Sequence, residues 1–341
     1  MMNDSTRILF VKPLGGKFVD IDMGIFAKHF RVQVVNAVWR EKWPLSLVLV
    51  PLRILRGTLR ADVTFSWFVG AHAFFQVLWS RLLGRKSIVI MGGYEVLRVA
   101  GNRYGLSHGG VFSRMARYTL NHADLILTVD DSLKIMAIEN LGANGSNIRT
   151  VPTGYDYNEF RPAGDKKDLA LTIGFSKNLW RNRSKGIDFF AECARAFPDL
   201  DFLIIGVEEE AYQDLSDRKI KNLHLLGPLP QSALLPYLQK AKVYCQLSLH
   251  EGLPNALCEA MLCECVPVGT KICGIPTAIG DTGFYAEVGD LKTSIDAIKK
   301  ALTSNNGAAA RERIRTLFPH ERREREIVQA VKDVMSKKAP D

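Results

Sequence analysis

No cysteine occurs before Cys193, and none of the six forms a C-x-x-C pair. Cys263, Cys265 and Cys273 are close in sequence, but their spacing is wrong for a zinc knuckle. The thiols read as small hydrophobes in apolar stretches. No apolar run is long enough to cross a bilayer; Leu45 to Leu52 contains Ser46 and Pro51 and ends at Arg53. The residues from Met1 to Arg7 lack a signal-peptide apolar core, so a cytoplasmic location is expected. A G-x-G-x-x-G fingerprint is missing from the first strand–turn–helix, which argues against an NAD enzyme. No nucleic-acid motif accompanies the basic charge, so no nucleic-acid partner is expected. There is no internal repeat and no low-complexity run.

What is present fits a folded, two-domain chain. The 341 residues are 47% hydrophobic and 24% charged, as in a globular protein. The formal net charge is +9 and it is unevenly spread. Through Asn158 there are 19 Lys and Arg against 11 Asp and Glu, so the excess belongs to the first half. Such a face suits an anionic surface or a phosphate-bearing partner. The stretch from Trp39 to Arg60 mixes Trp39, Trp43 and many leucines with Arg40, Lys42, Arg53, Arg56 and Arg60. That mixture suits a membrane interface, with a core helix and snorkelling arginines as the other reading. Pro44 and Pro51 are expected to interrupt any single long helix there.

The first half alternates strand and helix. Arg7 to Lys12 reads as a buried parallel strand, followed by Gly15-Gly16 and a helix. Two glycines at that turn let backbone N–H groups approach a ligand. Asp20 and Asp22 follow, and read as acidic residues complementing a helix start rather than as a metal-binding D-x-D pair. Gly92-Gly93-Tyr94-Glu95 lies at the C-terminal end of a strand, where open parallel sheets bind ligands. Ser132 or Asp131 is expected to cap the helix that ends near Gly142. The second half opens with a strand ending at Phe175. The segment from Ser176 to Gly186 reads as a loop carrying Arg181, Arg183 and Lys185.

The most informative stretch is His250 to Met261. Glu251 and Glu259 stand eight positions apart, with Gly252, Leu253, Pro254, Asn255 and Ala256 between them. Pro254 suits the first turn of a helix, and Leu257, Ala260 and Met261 recur at helical spacing. Glu251 is therefore expected in the loop before the helix, and Glu259 about one turn inside it. The helix N-terminus between them offers free N–H groups and a partial positive charge to a phosphate. The flanking carboxylates would accept hydrogen bonds from hydroxyls. Together these features suggest a nucleotide-sugar.

Glu251-x7-Glu259, with Ala260-Met261 and Val266-Pro267-Val268, resembles the donor-site signature of retaining glycosyltransferases of family 4. The resemblance covers nearly the whole chain and is sharpest from Leu247 to Asp290. It implies an α/β chain with the GT-B fold, two Rossmann-like domains facing each other across a cleft. Residues 1–156 would form the acceptor-side domain and 157–318 the donor-binding domain. The last residues, 319–341, would form a helix packing back on the first domain. The resemblance further implies that Glu259 binds the donor ribose and Glu251 the sugar hydroxyls. Gly252 to Ala256 would hold the sugar or diphosphate. Lys185, with Arg181 or Arg183, would stabilise the departing diphosphate, whose charge grows in the transition state. Gly15-Gly16 would lie near the donor phosphates, and the nucleobase near the turn at Gly227. Tyr94, Glu95, Arg98 and Arg103 are acceptor-side candidates.

Neither a metal nor another cofactor is expected. The implied partners are a nucleotide-sugar donor and a glycan or lipid-linked acceptor, with peripheral contact at the inner face of an anionic membrane. Cell-surface polysaccharide synthesis is the implied setting. The competing readings are an epimerase or phosphorylase on the same fold, or a sugar-nucleotide-binding protein without turnover. One departure from the family stands out. Relatives commonly carry Gly where this chain has Glu264, at a helix end that favours positive φ. The local backbone is therefore expected to differ.

Overall fold

The computed structural model describes residues 5–13, 15–38, 45–98 and 105–336. The chain divides into two compact units, Met1–Thr153 with Glu321–Asp341, and Gly154–His320. The first break therefore falls after Thr153 rather than after Asp156.

The first unit holds six strands: β1 (Arg7–Lys12), β2 (Arg31–Asn36), β3 (Val63–Trp67), β4 (Lys86–Met91), β5 (Leu125–Thr128) and β6 (Ile148–Thr150). They form one parallel sheet in the order β2-β1-β3-β4-β5-β6. Helices on both faces bury the inner strands β1, β3, β4 and β5, so these read as continuous apolar runs rather than alternating ones, while the edge strand β2 is mostly exposed. Ile8, Leu9, Phe10 and Val11 are all buried. The helix Ser46–Thr58 runs straight through Pro51, contrary to the sequence expectation. Val50, Pro51 and Ile54 are buried, and Val50 and Ile54 pack with Leu9 and Val11. That burial offsets the hydrogen bond proline cannot make. Gly57 lets the helix approach β1, since a Cβ there would meet Leu9 Cδ1 at 2.5 Å. Trp39, Trp43 and Pro44 lie outside the described residues.

The second unit holds β7 (Lys167–Ser176), β8 (Asp201–Val207), β9 (Leu223–Leu226), β10 (Ala241–Gln246), β11 (Val266–Thr270) and β12 (Phe284–Ala286). The order is β12-β11-β10-β7-β8-β9, again parallel throughout. Successive strands are added in one direction from β7 to β9 and in the other from β10 to β12, which makes the C-terminal ends of β7 and β10 the topological switch point. Phe190, Phe202, Ile204, Val243 and Val268 anchor its core.

Three local expectations need correction. Asp130, not Ser132 or Asp131, caps the helix Asp131–Leu141; its side chain accepts from Ser132 N at 3.0 Å. The segment after β7 is not all loop. Leu179–Ser184 is helical, capped by Asn178, whose side chain accepts from Arg181 N. Glu264 does not force the backbone to differ: it takes φ +65° itself. A non-glycine residue pays about 1–2 kcal/mol for that conformation. Glu264→Gly is therefore expected to raise stability by about 1 kcal/mol, part of the gain returning as unfolded-chain entropy. A thermal melt should show a rise of about 2–4 °C. No rise would mean that Glu264 recovers the cost through its own contacts.

Candidate donor site

The second unit gathers its polar residues at the switch point. Lys185 follows β7 and Glu251 follows β10, and Lys185 Nζ donates to Glu251 Oε1 at 2.7 Å. Two more donors converge on the same oxygen, Ser248 Oγ at 2.8 Å and Gln246 Nε2 at 3.0 Å. Gln246 Nε2 also reaches Ser248 Oγ at 2.7 Å. The pair is only partly exposed, 25% for the lysine side chain and 11% for the glutamate, so solvent screens it less than a surface bridge. His250 sits beside them. Burial lowers its pKa, and Lys185 pushes the same way against the Glu251 charge.

Two glycines hold this loop in place. Gly186 has φ +66°, and a Cβ there would lie 2.0 Å from the Leu247 carbonyl oxygen. Gly274 donates its N–H to the Gly252 oxygen at 3.0 Å, and a Cβ there would lie 2.1 Å from that atom. Both contacts are with backbone, so a side chain at either position would displace the loop that presents Glu251. Thr270 Oγ1 adds a bond to the Ser248 oxygen at 2.7 Å.

The helix Asn255–Leu262 starts directly beyond. Pro254 is its N-cap, one position outside the first turn expected for it. Cys258 N is bonded to the Pro254 oxygen, which leaves the N–H groups of Asn255, Ala256 and Leu257 ahead of the intrahelical ladder. Leu253 and Pro254 are buried, and Gly252, Asn255 and Ala256 are partly exposed. Tyr155 donates its hydroxyl to Asn255 Oδ1 at 2.9 Å, which fixes the first helical residue. Glu259 lies one turn in and is buried; its Oε1 accepts from Gln231 Nε2. Gln231 begins the helix Gln231–Lys240, just after Gly227, whose Cβ position is open space.

Arg181 and Arg183 separate clearly. Lys185 N bonds the Arg181 oxygen at 2.9 Å, so these two side chains share a face one turn apart. Arg183 is exposed, and its charge acts on Asp188. The cysteines near the site are not activated. Burial pushes Cys258 and Cys263 up to about 12, and Cys265 up to about 11.

The first-unit candidates divide. Gly15 and Gly16 lie after β1 and before the helix Lys17–His29, at that sheet's own switch point between β1 and β3. Tyr94 and Arg98 are exposed after β4. Glu95 is not an outward-facing group: it is 1% exposed and latches its own loop. It accepts from Val69 N and Gly92 N at 3.1 Å and from Gly93 N at 2.7 Å. Burial raises its carboxyl above the ordinary range, those amides opposing the shift. Beside this latch Phe68 takes φ +69°, a strained conformation for an aromatic residue. Arg103 lies outside the described residues. Asp22 is also not a surface dipole partner. It is buried, accepts from Trp67 Nε1 at 2.9 Å, and pairs with Arg323 at 2.7 and 3.0 Å. Asp20 instead pairs with Lys12 at 3.0 Å.

Several members of the site escape a sequence reading. Gln246, Ser248, Gln231 and Tyr155 are ordinary residue types with no motif of their own. Only the three-residue spacing of Ser248 and Glu251 hints at contact, and only once the loop is known to turn.

Residues 170–304 match the family described as glycosyl transferases group 1. A phosphatidylinositol N-acetylglucosaminyltransferase subunit of Arabidopsis thaliana is 23% identical over 265 residues, covering 74% of this chain and 57% of that protein. N-acetyl-alpha-D-glucosaminyl L-malate synthase of Bacillus anthracis is 26% identical over 286 residues, covering 76% of this chain and 72% of that protein. The chain spans about half the length of the first curated relatives it matches. In structure, Anabaena Alr3699/HepE in complex with UDP and glucose superposes with a TM-score of 0.77 at 14% identity, over 96% of this chain and 99% of that one. The chain therefore has the GT-B fold of two Rossmann-like units. Its second unit carries Lys185 and both site glutamates within the segment, residues 170–304, that is similar to the glycosyl transferases group 1 family.

Proposed function

We propose that this chain is a retaining glycosyltransferase of the family 4 type, moving a hexose from a nucleotide-sugar to a glycan or lipid-linked acceptor. The observation that carries it is the Lys185–Glu251 pair at the switch point, beside a helix N-terminus with Glu259 one turn inside. In this reading the diphosphate meets Lys185 and the N–H groups of Asn255 and Ala256. Arg181, on the lysine's face, adds a second cation. These charges stabilise the leaving nucleoside diphosphate without a metal or other cofactor. Glu251, held by Gln246 and Ser248, accepts from sugar hydroxyls. Glu259, oriented by Gln231, accepts from the ribose, and the base lies near Gly227. The relatives' names fit a nucleotide-sugar donor, and the solved neighbour's ligand is UDP with glucose.

The test is thermal stabilisation by a panel of nucleoside diphosphates and nucleotide-sugars, with Glu259→Gln and Glu259→Ala beside the wild type. At a hundred times its dissociation constant a ligand adds about 2.7 kcal/mol. One base series should stabilise the wild type, and both variants should lose that response. Silence across the whole panel would remove the donor-site assignment.

A further inference from the structure

We infer that the first unit carries a carbohydrate-stacking subsite built from Phe18 and Phe68, at the topological switch point of its own sheet. β2 is added on one side of β1, and β3 to β6 on the other, so the crevice outside the C-terminal ends of β1 and β3 is the natural ligand position. Phe18 follows β1 and Phe68 follows β3, so one ring comes from each side of that crevice. The two rings stand edge to face, 6.0 Å apart and at 88°. Buried Trp67 backs both, 4.8 Å from Phe18 and 5.6 Å from Phe68. Phe18 and Phe68 themselves stay partly exposed.

Phe68 reaches this place in an unfavourable conformation. Its φ is +69°, where a bulky side chain is rare, and such outliers gather at ligand sites. Glycine would hold the same turn without strain, so the turn alone does not ask for phenylalanine. Three hydrogen bonds fix it there. Glu95 accepts from Val69 N, directly after Phe68, at 3.1 Å. His72 Nε2 donates to the Trp67 oxygen, directly before it, at 2.8 Å. Phe68 N itself bonds the Ile90 oxygen at 2.8 Å. Gly92 makes room for the ring, since a Cβ there would lie 2.8 Å from Phe68 Cε1. Neither ionisable side chain that holds the turn offers a charge to a ligand. Glu95 spends its oxygens on three loop amides, and buried His72, its pKa lowered to about 4, stays neutral at pH 7. A pyranose fits such a corner. Its apolar C–H face stacks on an aromatic ring while its hydroxyls stay at the rim, where Tyr94 is exposed at the same end of the sheet. In one respect the subsite rests on the proposed function: the sugar it holds is then part of the acceptor.

The experiment is saturation-transfer NMR on the full chain with the methyl glycosides of glucose, galactose, mannose and N-acetylglucosamine. At least one glycoside should show transfer, strongest at the C–H protons of one ring face. Phe68→Gly and Phe68→Asn, both at ease at positive φ, should cut that signal about tenfold, and Phe68→Tyr should keep it. Both ringless variants should melt within about 3 °C of the wild type, because relief of strain offsets the lost ring contacts. Their thermal response to the nucleotide panel should be unchanged, since the donor residues lie in the second unit. A nucleotide response without any Phe68-dependent glycoside signal overturns this subsite and leaves the donor reading standing. A Phe68-dependent signal from a chain silent to every nucleotide removes the donor reading and keeps the subsite. Equal glycoside signals in the wild type and both ringless variants would make Phe68 a packing residue and overturn the inference, as would silence toward all four glycosides.

Discussion

Lys185→Ala is expected to slow release of nucleoside diphosphate from the donor by about a hundred- to a thousandfold, with a smaller change in KM. The expectation rests on the donor reading and on one geometric fact. Lys185 Nζ is 2.7 Å from Glu251 Oε1 and three-quarters removed from solvent. In that environment a cation acts on a neighbouring anion far more strongly than it would in bulk water. The charge that grows on the leaving diphosphate is such an anion, whereas the ground-state donor gains less. The effect therefore falls mainly on kcat. The substitution also leaves Glu251 with Ser248 and Gln246 as its remaining donors, so its position should be largely kept. Arg183→Ala is the comparison. Arg183 is exposed beside Asp188, and its removal should change the rate by less than about threefold. Release can be followed with any donor the thermal panel identifies, water serving as acceptor when no other is known. Equal losses at Lys185 and Arg183, or none at Lys185, would mean the leaving group is stabilised elsewhere.

Arg323→Met should cost about 3–5 kcal/mol of stability, the largest effect expected away from the donor site. Arg323 is 2% exposed, and its guanidinium makes two bonds to Asp22. It also donates to the Val151 and Pro152 oxygens. Trp67 completes the arrangement, donating to Asp22 and lying with its ring 5.7 Å from the guanidinium. Losing the arginine strands a buried carboxylate; losing the aspartate strands a buried guanidinium. Either change is worse than losing both, so Asp22→Asn/Arg323→Met should cost less than the two single changes added together. The melting temperature of Arg323→Met should fall by about 10 °C. Hydrogen exchange should show the helix His320–Ser336 losing protection first. A loss below about 1 kcal/mol, or an additive double variant, would mean that the cluster is not the anchor of this helix.

Much of the fold was legible because its signals are local. The strands of both sheets are short apolar runs bounded by turns, and the helix Asn255–Leu262 announces itself by Pro254 and by apolar residues at helical spacing. Glu251 and Glu259 could be placed on either side of a helix start by counting alone. The errors have physical causes. Pro51 was expected to interrupt a helix, and burial against β1 overrode the missing hydrogen bond. Glu264 was expected to alter the backbone, yet the surrounding packing holds it at positive φ. Glu95 was read as an acceptor-side candidate, and no local pattern shows that three loop amides draw its carboxylate inward.

The sequence alone determined the alternation of elements, the glutamate spacing and the basic bias of the first half. Each depends on residues within about one or two turns of each other, where backbone geometry fixes who is neighbour to whom. Tertiary structure decided which partners those groups meet. Lys185 and Glu251 are 66 positions apart, and Arg323 and Asp22 are 301 apart. No local pattern specifies such pairs. Their meeting follows from strand order: β10 lies beside β7, which brings the loops after both strands to one switch point. The last helix returns to the first unit, which brings Arg323 to Asp22.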